Sequence, residues 1–373
     1  MSAEDGEGIM VCILLATRDR ASFLRDALES LRQQTARNAI RRIVVSENSQ
    51  NRASREVCKE FGDLPIVYVH QNPPQPAMLH LKAMWKYVES PRVAILHDDD
   101  WWASDHLEAC LGALEADPKC VAAYSGFFET FKPEGVFWVP EVAWLVWLAV
   151  GCDLGRPLIS MDPTTVMLAC LPNAALHYST VVGKTDAMWD AYMKNVARNN
   201  EFDNDRTFPV YLSEHGNIGY ITRPSVYVRQ HALRHAWSPT ILSKHFILAN
   251  ETTQYLWQNY RDIIVPAAEK FNAVLENLSS HECAPVWTAL RNRVQEPHLS
   301  TVISECGFDL EPLRPCLTRR HTWKSVAKAI CPPVVLECVR RLRSRMSGGW
   351  EGDMLRWQEQ TRQSEKKEQR DAA

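Results

Sequence analysis

No C-x-x-C pair occurs among the 11 cysteines. Their scattered positions, from Cys12 through Cys152 to Cys338, offer neither a zinc knuckle nor a short-spaced disulfide framework, so they read as reduced thiols of a cytoplasmic protein. An excess of one charge is also missing. With 42 Lys plus Arg against 45 Asp plus Glu and a net of −3, the whole molecule has no electrostatic reason to bind nucleic acid. Long hydrophobic runs are absent: the strongest, Val142–Val150, has nine residues and follows Pro140 and Glu141, too short to span a bilayer. The segment Met1–Gly8 carries acids and lacks a basic region, which argues against a secretory signal. Nor is there a glycine in Ala16-Thr17-Arg18-Asp19, where a glycine-rich phosphate loop or dinucleotide-binding turn would follow the first strand. No internal repeat is visible, and the only low-complexity stretch is a polar tail after Gly352.

What is present is 373 residues, 46% of them apolar, enough for one large domain with an appendage. Over the first 125 residues, short apolar runs alternate with amphipathic segments, as in βαβ units around a mostly parallel sheet. The expected strands are Ile9–Ala16, Arg42–Ser46, Ile66–His70, Arg92–His97 and Cys120–Tyr124. Between the first two, Phe23, Leu24, Ala27, Leu28 and Leu31 recur at helical spacing behind Ser22 as N-cap. Met84 and Val88 face inward on a helix ending before Pro91. From Phe127 to about Met188 the rhythm gives way to a segment rich in Trp and Pro, closed by a β-like run at His177–Val182. An acidic cluster, Glu201-Phe-Asp203-Asn-Asp205, then leads into a helix reaching Ser213 and a strand at Ile218–Thr222. Beyond Pro239 the chain reads as mainly helical.

In open parallel sheets, ligands bind at the carboxyl ends of the strands. Those ends carry Thr17-Arg18-Asp19, Glu47-Asn48-Ser49, Gln71-Asn72 and Asp98-Asp99-Asp100. Three consecutive aspartates raise one another's pKa unless a cation neutralises them. Hard oxygen donors suit Mg²⁺ or Mn²⁺, with a diphosphate completing the shell. The competing explanation is helix capping, in which Asp100 and Asp105 favour the macrodipole of the next helix.

The ordered set Leu15-Ala-Thr17-Arg18-Asp19-Arg20, Val44-Val45-Ser46-Glu47-Asn48-Ser49, Leu96-His97-Asp98-Asp99-Asp100-Trp101-Trp102 with His106-Leu107, then Asp205 and Gly219-Tyr-Ile221 to Tyr227-Val-Arg229-Gln-His231, resembles the inverting family-2 glycosyltransferases. That resemblance covers roughly residues 9 to 235. It implies a GT-A (Rossmann-like) α/β fold: a catalytic domain over 1–238, with a nucleotide-sugar half at 9–125 and an acceptor and catalytic half at 126–238. A helical region at 239–352 and a polar tail at 353–373 follow. Thr17, Arg18 and Glu47 become the implied contacts for ribose, phosphate and base, Glu47 standing where the family commonly has Asp. Asn72 is either a further contact or a turn residue before Pro73. The aspartate run corresponds to the family's D-x-D motif, in register either as Asp98 with Asp100 or centred on Asp99, so all three are kept as metal ligands with Asp98 also on the donor. His97 takes a position that is often acidic. His231 is the implied third metal ligand, against the plainer role of a packed histidine, and Arg229 the group that offsets leaving-group charge. Asp205 is the implied base, Asp203 the reserve and Glu201 a distant third; the alternative is an exposed acidic helix start. Tyr178 and Ser179 fall on a segment that lines the acceptor side.

The implied activity is metal-dependent transfer, with Mn²⁺ or Mg²⁺, from a nucleotide-diphosphate sugar to a hydroxyl of a glycan or glycolipid acceptor. A sugar nucleotidyltransferase and a non-catalytic carbohydrate-binding scaffold are the alternatives. The tryptophans of Trp138–Trp147 either stack on acceptor or pack in the core. Between Arg314 and Met346, nine Lys or Arg face the single acid Glu337. This basic amphipathic stretch either rests on an anionic membrane at its cytoplasmic face or packs on the catalytic domain with a solvated basic side.

Overall fold

A computed structural model of the chain describes residues 10–130, 137–138, 156–171, 174–198, 204–229, 251–277 and 297–310. Among them, ten strands form one mixed sheet. They are β1 (Val11–Thr17), β2 (Ile40–Glu47), β3 (Ile66–His70), β4 (Arg92–Ile95), β5 (Trp101–Trp102), β6 (Cys120–Thr130), β7 (Phe137–Trp138), β8 (Leu158–Met161), β9 (Val182–Lys184) and β10 (Asn217–Arg229). The order is β3-β2-β1-β4-β9-β6-β10-β5, with β7 on β6 and β8 on β10. The longer ladders, β1 with β2, β2 with β3, β1 with β4, and β6 with β10, are parallel. Short antiparallel strands fill the gaps, β9 joining β4 to β6. This is the expected α/β class.

The helices include α1 (Ala21–Arg32), α2 (Ala53–Glu60), α3 (Ala77–Met84), α4 (His106–Ala116), α5 (Pro163–Cys170), α6 (Thr185–Arg198), α7 (Asn204–Ser213), α8 (Arg261–Glu276) and α9 (Pro297–Cys306), and residues 251–259 are helical as well. Successive strand residues point to opposite faces, and the core divides accordingly. Cys12, Leu14, Val44, Val93 and Ile95 pack on one side with residues of α5, α6, α7 and α8. Val11, Ile13, Leu15, Ile43, Val45 and Ala94 pack on the other with α1, α2 and α4. A sheet buried on both faces explains why its strands read as unbroken apolar runs. Among the described residues no helix is long and apolar enough to cross a membrane, and Cys12, Cys58, Cys110, Cys120, Cys170 and Cys306 are buried free thiols.

Local details differ from the sequence expectation. Helix α1 starts at Ala21 behind Arg20, not behind Ser22; the Arg20 carbonyl accepts from Phe23 N and Leu24 N, with no side-chain cap. Helix α3 stops at Met84 and tightens into a 3-10 turn, Trp85–Tyr87, so Val88 lies beyond it in extended backbone. His177–Val182 is a 3-10 turn at Tyr178–Thr180 followed by β9, because the His177 side chain accepts from Ser179 N and its carbonyl from Thr180 N and Oγ1. The separate segments Ile218–Thr222 and Tyr227-Val-Arg229 are one strand, β10, with a register shift between Ile221 and Val226. Asp105 stands at the N-cap of α4 but caps nothing, its carboxylate pairing with Arg223. Met1–Gly8, Val142–Val150, the Trp138–Trp147 side chains, 314–346 and 353–373 lie outside the described residues.

Helix α7 carries Asp205 in its first turn and Pro209 in its interior. Proline has no N–H to give the Asp205 carbonyl four residues back. What holds this helix is the fully buried Arg206. Its guanidinium donates to the Cys170 carbonyl at 3.2 Å, to the Leu171 carbonyl, and to Thr253 Oγ1 at 2.9 Å. These partners include the C-terminal carbonyls of α5, where a cation is favoured. Arg206→Met keeps the length but removes the guanidinium from those buried acceptors. We expect a stability loss of about 2–3 kcal/mol in urea unfolding; an unchanged midpoint would show the guanidinium to be dispensable.

Candidate active site

Parallel register sets the first strand ends side by side: Thr17 pairs with Glu47, and Glu47 with His70. Thr17, 2% exposed, donates its Oγ1 hydrogen to Asp98 Oδ2 at 2.7 Å, joining the end of β1 to the turn after β4. Glu47 is fully buried. Its Oε1 accepts from Ser54 N at 3.1 Å and Ser49 Oγ at 3.3 Å, and its Oε2 from Tyr68 Oη at 2.5 Å. The extra methylene relative to Asp thus lets Glu47 reach the first turn of α2. Arg18 is exposed beside Asp19, and Asn72 is exposed at a cis Asn72–Pro73 bond. Both stand on the rim around this strand end. Asn48 is engaged with the Gln75 backbone in both directions, at 2.7 and 2.8 Å.

The three aspartates are all buried, and they diverge. Asp98 and Asp99 share Arg20, whose Nη1 lies 3.1 Å from Asp98 Oδ1 and 2.9 Å from Asp99 Oδ2. Asp100 turns toward β10 and the 178–180 turn: its Oδ1 accepts from Arg229 N at 3.0 Å and its Oδ2 from Ser179 Oγ at 2.5 Å. The cation beside the first two is therefore a guanidinium. Burial lowers the Arg20 pKa, but Asp98 and Asp99 outweigh it and hold the group above its ordinary value. Burial, then the neighbouring Asp99 charge, pushes Asp98 up to about 7 from 3.8, against the opposing pull of Arg20 and Thr17.

Ser179, fully buried, ties this turn to the second half of the fold. Besides donating to Asp100, its Oγ accepts from His97 N at 3.2 Å, its carbonyl accepts from Trp102 Nε1 at 2.7 Å, and its N–H donates to His177 Nδ1 at 3.2 Å. The next residue back, Tyr178, donates its N–H to Asp205 Oδ1 at 2.9 Å. Adjacent residues thus hold the last aspartate of the run and the acidic residue of α7. Neither Arg20, His177 nor the depth of Ser179's role stood out in the sequence. Arg20 did close the first motif, and Ser179 did fall on the acceptor segment. Arg229 is 7% exposed. Its Nε donates to the Asp99 carbonyl at 3.0 Å, its Nη2 meets Asp26 Oδ2 at 2.5 Å, and its guanidinium lies over the rings of Phe23 and Trp101 at 4.6 and 4.8 Å. It clamps the aspartate turn onto α1. Asp203, Glu201 and His231 lie outside the described residues.

One ligand atom each from His97, Asp100 and His177 lie within 4.8 Å of one another, a candidate site for a divalent metal. The donor chemistry fits: a carboxylate with two imidazoles is a set that transition-series dications accept.

Residues 12–147 match the sequence model of the family described as Glycosyl transferase family 2. No curated protein matches the chain. Among solved structures it is similar to TarS from S. aureus, at 11% identity over 82% of this chain and 54% of that one, with a TM-score of 0.49; it spans about half of that chain. TarS 1–349 in complex with UDP-GlcNAc gives 10% identity over 80% and 92% of the two chains and a TM-score of 0.48. Mannosyltransferase PcManGT from Pyrobaculum calidifontis, in complex with GDP-Man and Mn²⁺, gives 14% over 83% and 88%, at 0.43. Likenesses this distant place no residue. The family match covers Thr17, Glu47 and the aspartate run, and supports a glycosyltransferase.

A carboxyl held above its unfolded pKa keeps a proton that the unfolded chain has released, so stability falls as pH rises through that window. For Asp98 the window runs from 3.8 to about 7. In chelator, the melting temperature should drop as pH rises from 5 to 7.5, and Asp98→Asn should flatten that slope. An equal slope in the variant would place the titrating group elsewhere.

Proposed function

We propose that this chain is an inverting, metal-dependent glycosyltransferase, moving a sugar from a nucleotide-diphosphate donor to a hydroxyl of a glycan or glycolipid. The observation that carries the reading is the Tyr178–Ser179 link: one backbone step separates the residue gripping Asp100 from the residue gripping Asp205. Displacement at an anomeric carbon needs help for the departing diphosphate on one side and a base for the acceptor on the other. Two carboxylates fixed to successive residues of one rigid turn answer both needs.

Thr17 and Glu47, at neighbouring strand ends, form the nucleoside side, with Arg18 and Asn72 on its rim. Asp98 sits between Thr17 and Arg20 and faces the ribose and phosphates. Asp100 is the carboxylate best placed to hold a divalent cation, Mn²⁺ or Mg²⁺, which would neutralise charge on the diphosphate. Asp205 accepts the acceptor's proton; the Tyr178 N–H fixes the direction of its carboxylate. Arg229 acts by positioning, since it holds both the backbone and the carboxylate of the aspartate turn. Asp203 remains the reserve base and His231 a further candidate ligand.

General-base removal typically costs 10²- to 10⁴-fold in rate. With Mn²⁺ and a panel of nucleotide sugars, the wild-type chain should release nucleoside diphosphate and Asp205→Asn should lose about that much turnover while donor affinity holds. Full activity in the variant would remove Asp205 as base. Donor binding without any release in wild type would favour the non-catalytic scaffold, and release of pyrophosphate would favour a nucleotidyltransferase.

Peripheral membrane contact through 314–346 rests on its nine Lys or Arg against one acid. The full chain should sediment with anionic vesicles at low salt and be released as salt screens the attraction. Indifference to such vesicles would leave the stretch a structural one.

A further inference from the structure

We propose that the cation is held by His97, Asp100 and His177, with Asp98 and Asp99 kept as counterions of Arg20, and that this imidazole-rich set favours a transition-series dication over Mg²⁺. The proposal rests on the preceding reading of the aspartate turn as the donor end of the site. It departs from the expectation that all three aspartates ligate metal.

The division of labour follows from where the carboxylates point. An ion placed on Asp98 or Asp99 would meet the Arg20 guanidinium, which contacts both within 3.1 Å, and like charges at that range oppose binding. Asp100 turns away from that pair, its Oδ1 accepting from the Arg229 backbone N–H at 3.0 Å. Beyond the Ser179 hydroxyl that donates to it at 2.5 Å, two imidazole nitrogens lie near Asp100 Oδ2. His97 Nδ1 lies 3.7 Å from it and His177 Nδ1 3.9 Å. Around an ion with bonds of about 2.1 Å, neighbouring ligands sit about 3 Å apart and opposite ones about 4.2 Å apart. Both separations fall inside that span, and the two imidazole ligand atoms, within 4.8 Å of each other, need shift by no more than a fraction of an ångström to share one ion.

The supports for such a site are also present. The Ser179 hydroxyl orients the Asp100 carboxylate, the kind of outer contact that fixes a ligand before the ion arrives. The two imidazole rings meet edge-on, with centroids 5.3 Å apart and planes at 78°, so neither ring covers the other. His177 Nδ1 accepts the Ser179 N–H at 3.2 Å, which makes it the unprotonated nitrogen; ligation there exchanges a long hydrogen bond for a metal bond. Asp100 and His177 are buried, at 2% and 8% side-chain exposure, whereas His97 is 42% exposed. The site therefore opens at one corner, where diphosphate oxygens or water can complete the shell. Mg²⁺ prefers oxygen ligands in near-ideal octahedral geometry, while imidazole suits transition metals.

The test titrates MnCl₂ alone into the full chain, without donor or acceptor, and reads bound Mn²⁺ by electron paramagnetic resonance with electron-spin-echo detection. Bound Mn²⁺ should show ¹⁴N modulation from directly ligating imidazole, and Mg²⁺ should displace it only at a concentration at least about tenfold higher. His97→Ala, checked for an unchanged melting temperature without metal, should weaken Mn²⁺ binding at least about tenfold, the lower bound set by losses of mere outer-shell partners. Asp99→Asn should keep it. Absence of bound Mn²⁺, bound Mn²⁺ without nitrogen modulation, equal competition by Mg²⁺, or loss in Asp99→Asn with retention in His97→Ala would each overturn the proposal. Because no sugar donor enters the measurement, such a failure leaves the transfer reaction to be judged by its own assay.

Discussion

Three carboxylates buried in one turn at the end of a parallel strand are the constraint around which this structure is arranged. An ionised carboxylate without compensation inside a protein costs several kcal/mol, and none of the three is more than 6% exposed. The chain compensates them unequally. Arg20 covers two, and a hydroxyl, a backbone N–H and two nearby imidazoles surround the third. Arg20 can do this because of the turn that delivers it. Asp19 takes a left-handed backbone conformation, φ 55°, anchored by its N–H on Ser49 Oγ at 3.0 Å. That bend allows the Arg20 carbonyl to open α1 while its side chain crosses to the aspartates.

The same demand accounts for the far strand. Running β10 as one 13-residue strand brings Arg229 alongside the aspartate turn, where its N–H, its Nε and its ion pair with Asp26 tie three elements together. Trp101 and Trp102, which form β5 against β10, serve the same end. One ring stacks on Tyr227 at 5.3 Å, and the other donates its N–H to Ser179. Aromatic residues directly after the acids are thus the walls that keep the turn dry and fixed. A preorganised turn of this kind suits chemistry in which negative charge develops, because the dipoles need not reorganise as it does so.

Much of this was legible in the sequence, for identifiable reasons. The buried strands β1, β2 and β4 announce themselves as apolar runs, and α1 by Leu24, Ala27, Leu28 and Leu31 at helical spacing. The polar strand ends follow from the sheet's topology, so Thr17, Glu47 and the aspartates could be named before any coordinates. Other features were not legible, because they depend on contacts distant in sequence. That Arg20 lies against Asp98 and Asp99 requires knowing how the chain turns at Asp19, some 80 positions away. His177–Val182 reads as a strand by composition, yet local hydrogen bonds from His177 curl it into a 3-10 turn, as side chains that compete for nearby backbone do. The convergence of Ser179 on Asp100 and Tyr178 on Asp205 joins segments separated by 79 and 27 residues, beyond the reach of periodicity or spacing.

The region beyond residue 239 reads from the sequence as mainly helical, and its described part shares the main core. Ile264, Ala267, Ala268 and Phe271 of α8 belong to the same apolar cluster as Leu14, Val44 and Val93 of the central strands. The polar contacts agree. Thr252 accepts from Arg198 at the end of α6, Thr253 accepts from Arg206, and the Arg198 guanidinium lies 4.9 Å from the centre of the Tyr255 ring. Arg206 follows Asp205 directly, so the helix start that presents the carboxylate is pinned from behind by residues of the C-terminal region. With Pro209 denying α7 one of its own hydrogen bonds, that external anchor substitutes for regular helix bonding. Tyr178 then sets the carboxylate from the front. The position of Asp205 is therefore fixed jointly by the 178–180 turn and by the C-terminal helices, and removing those helices would loosen the carboxylate without touching any strand end.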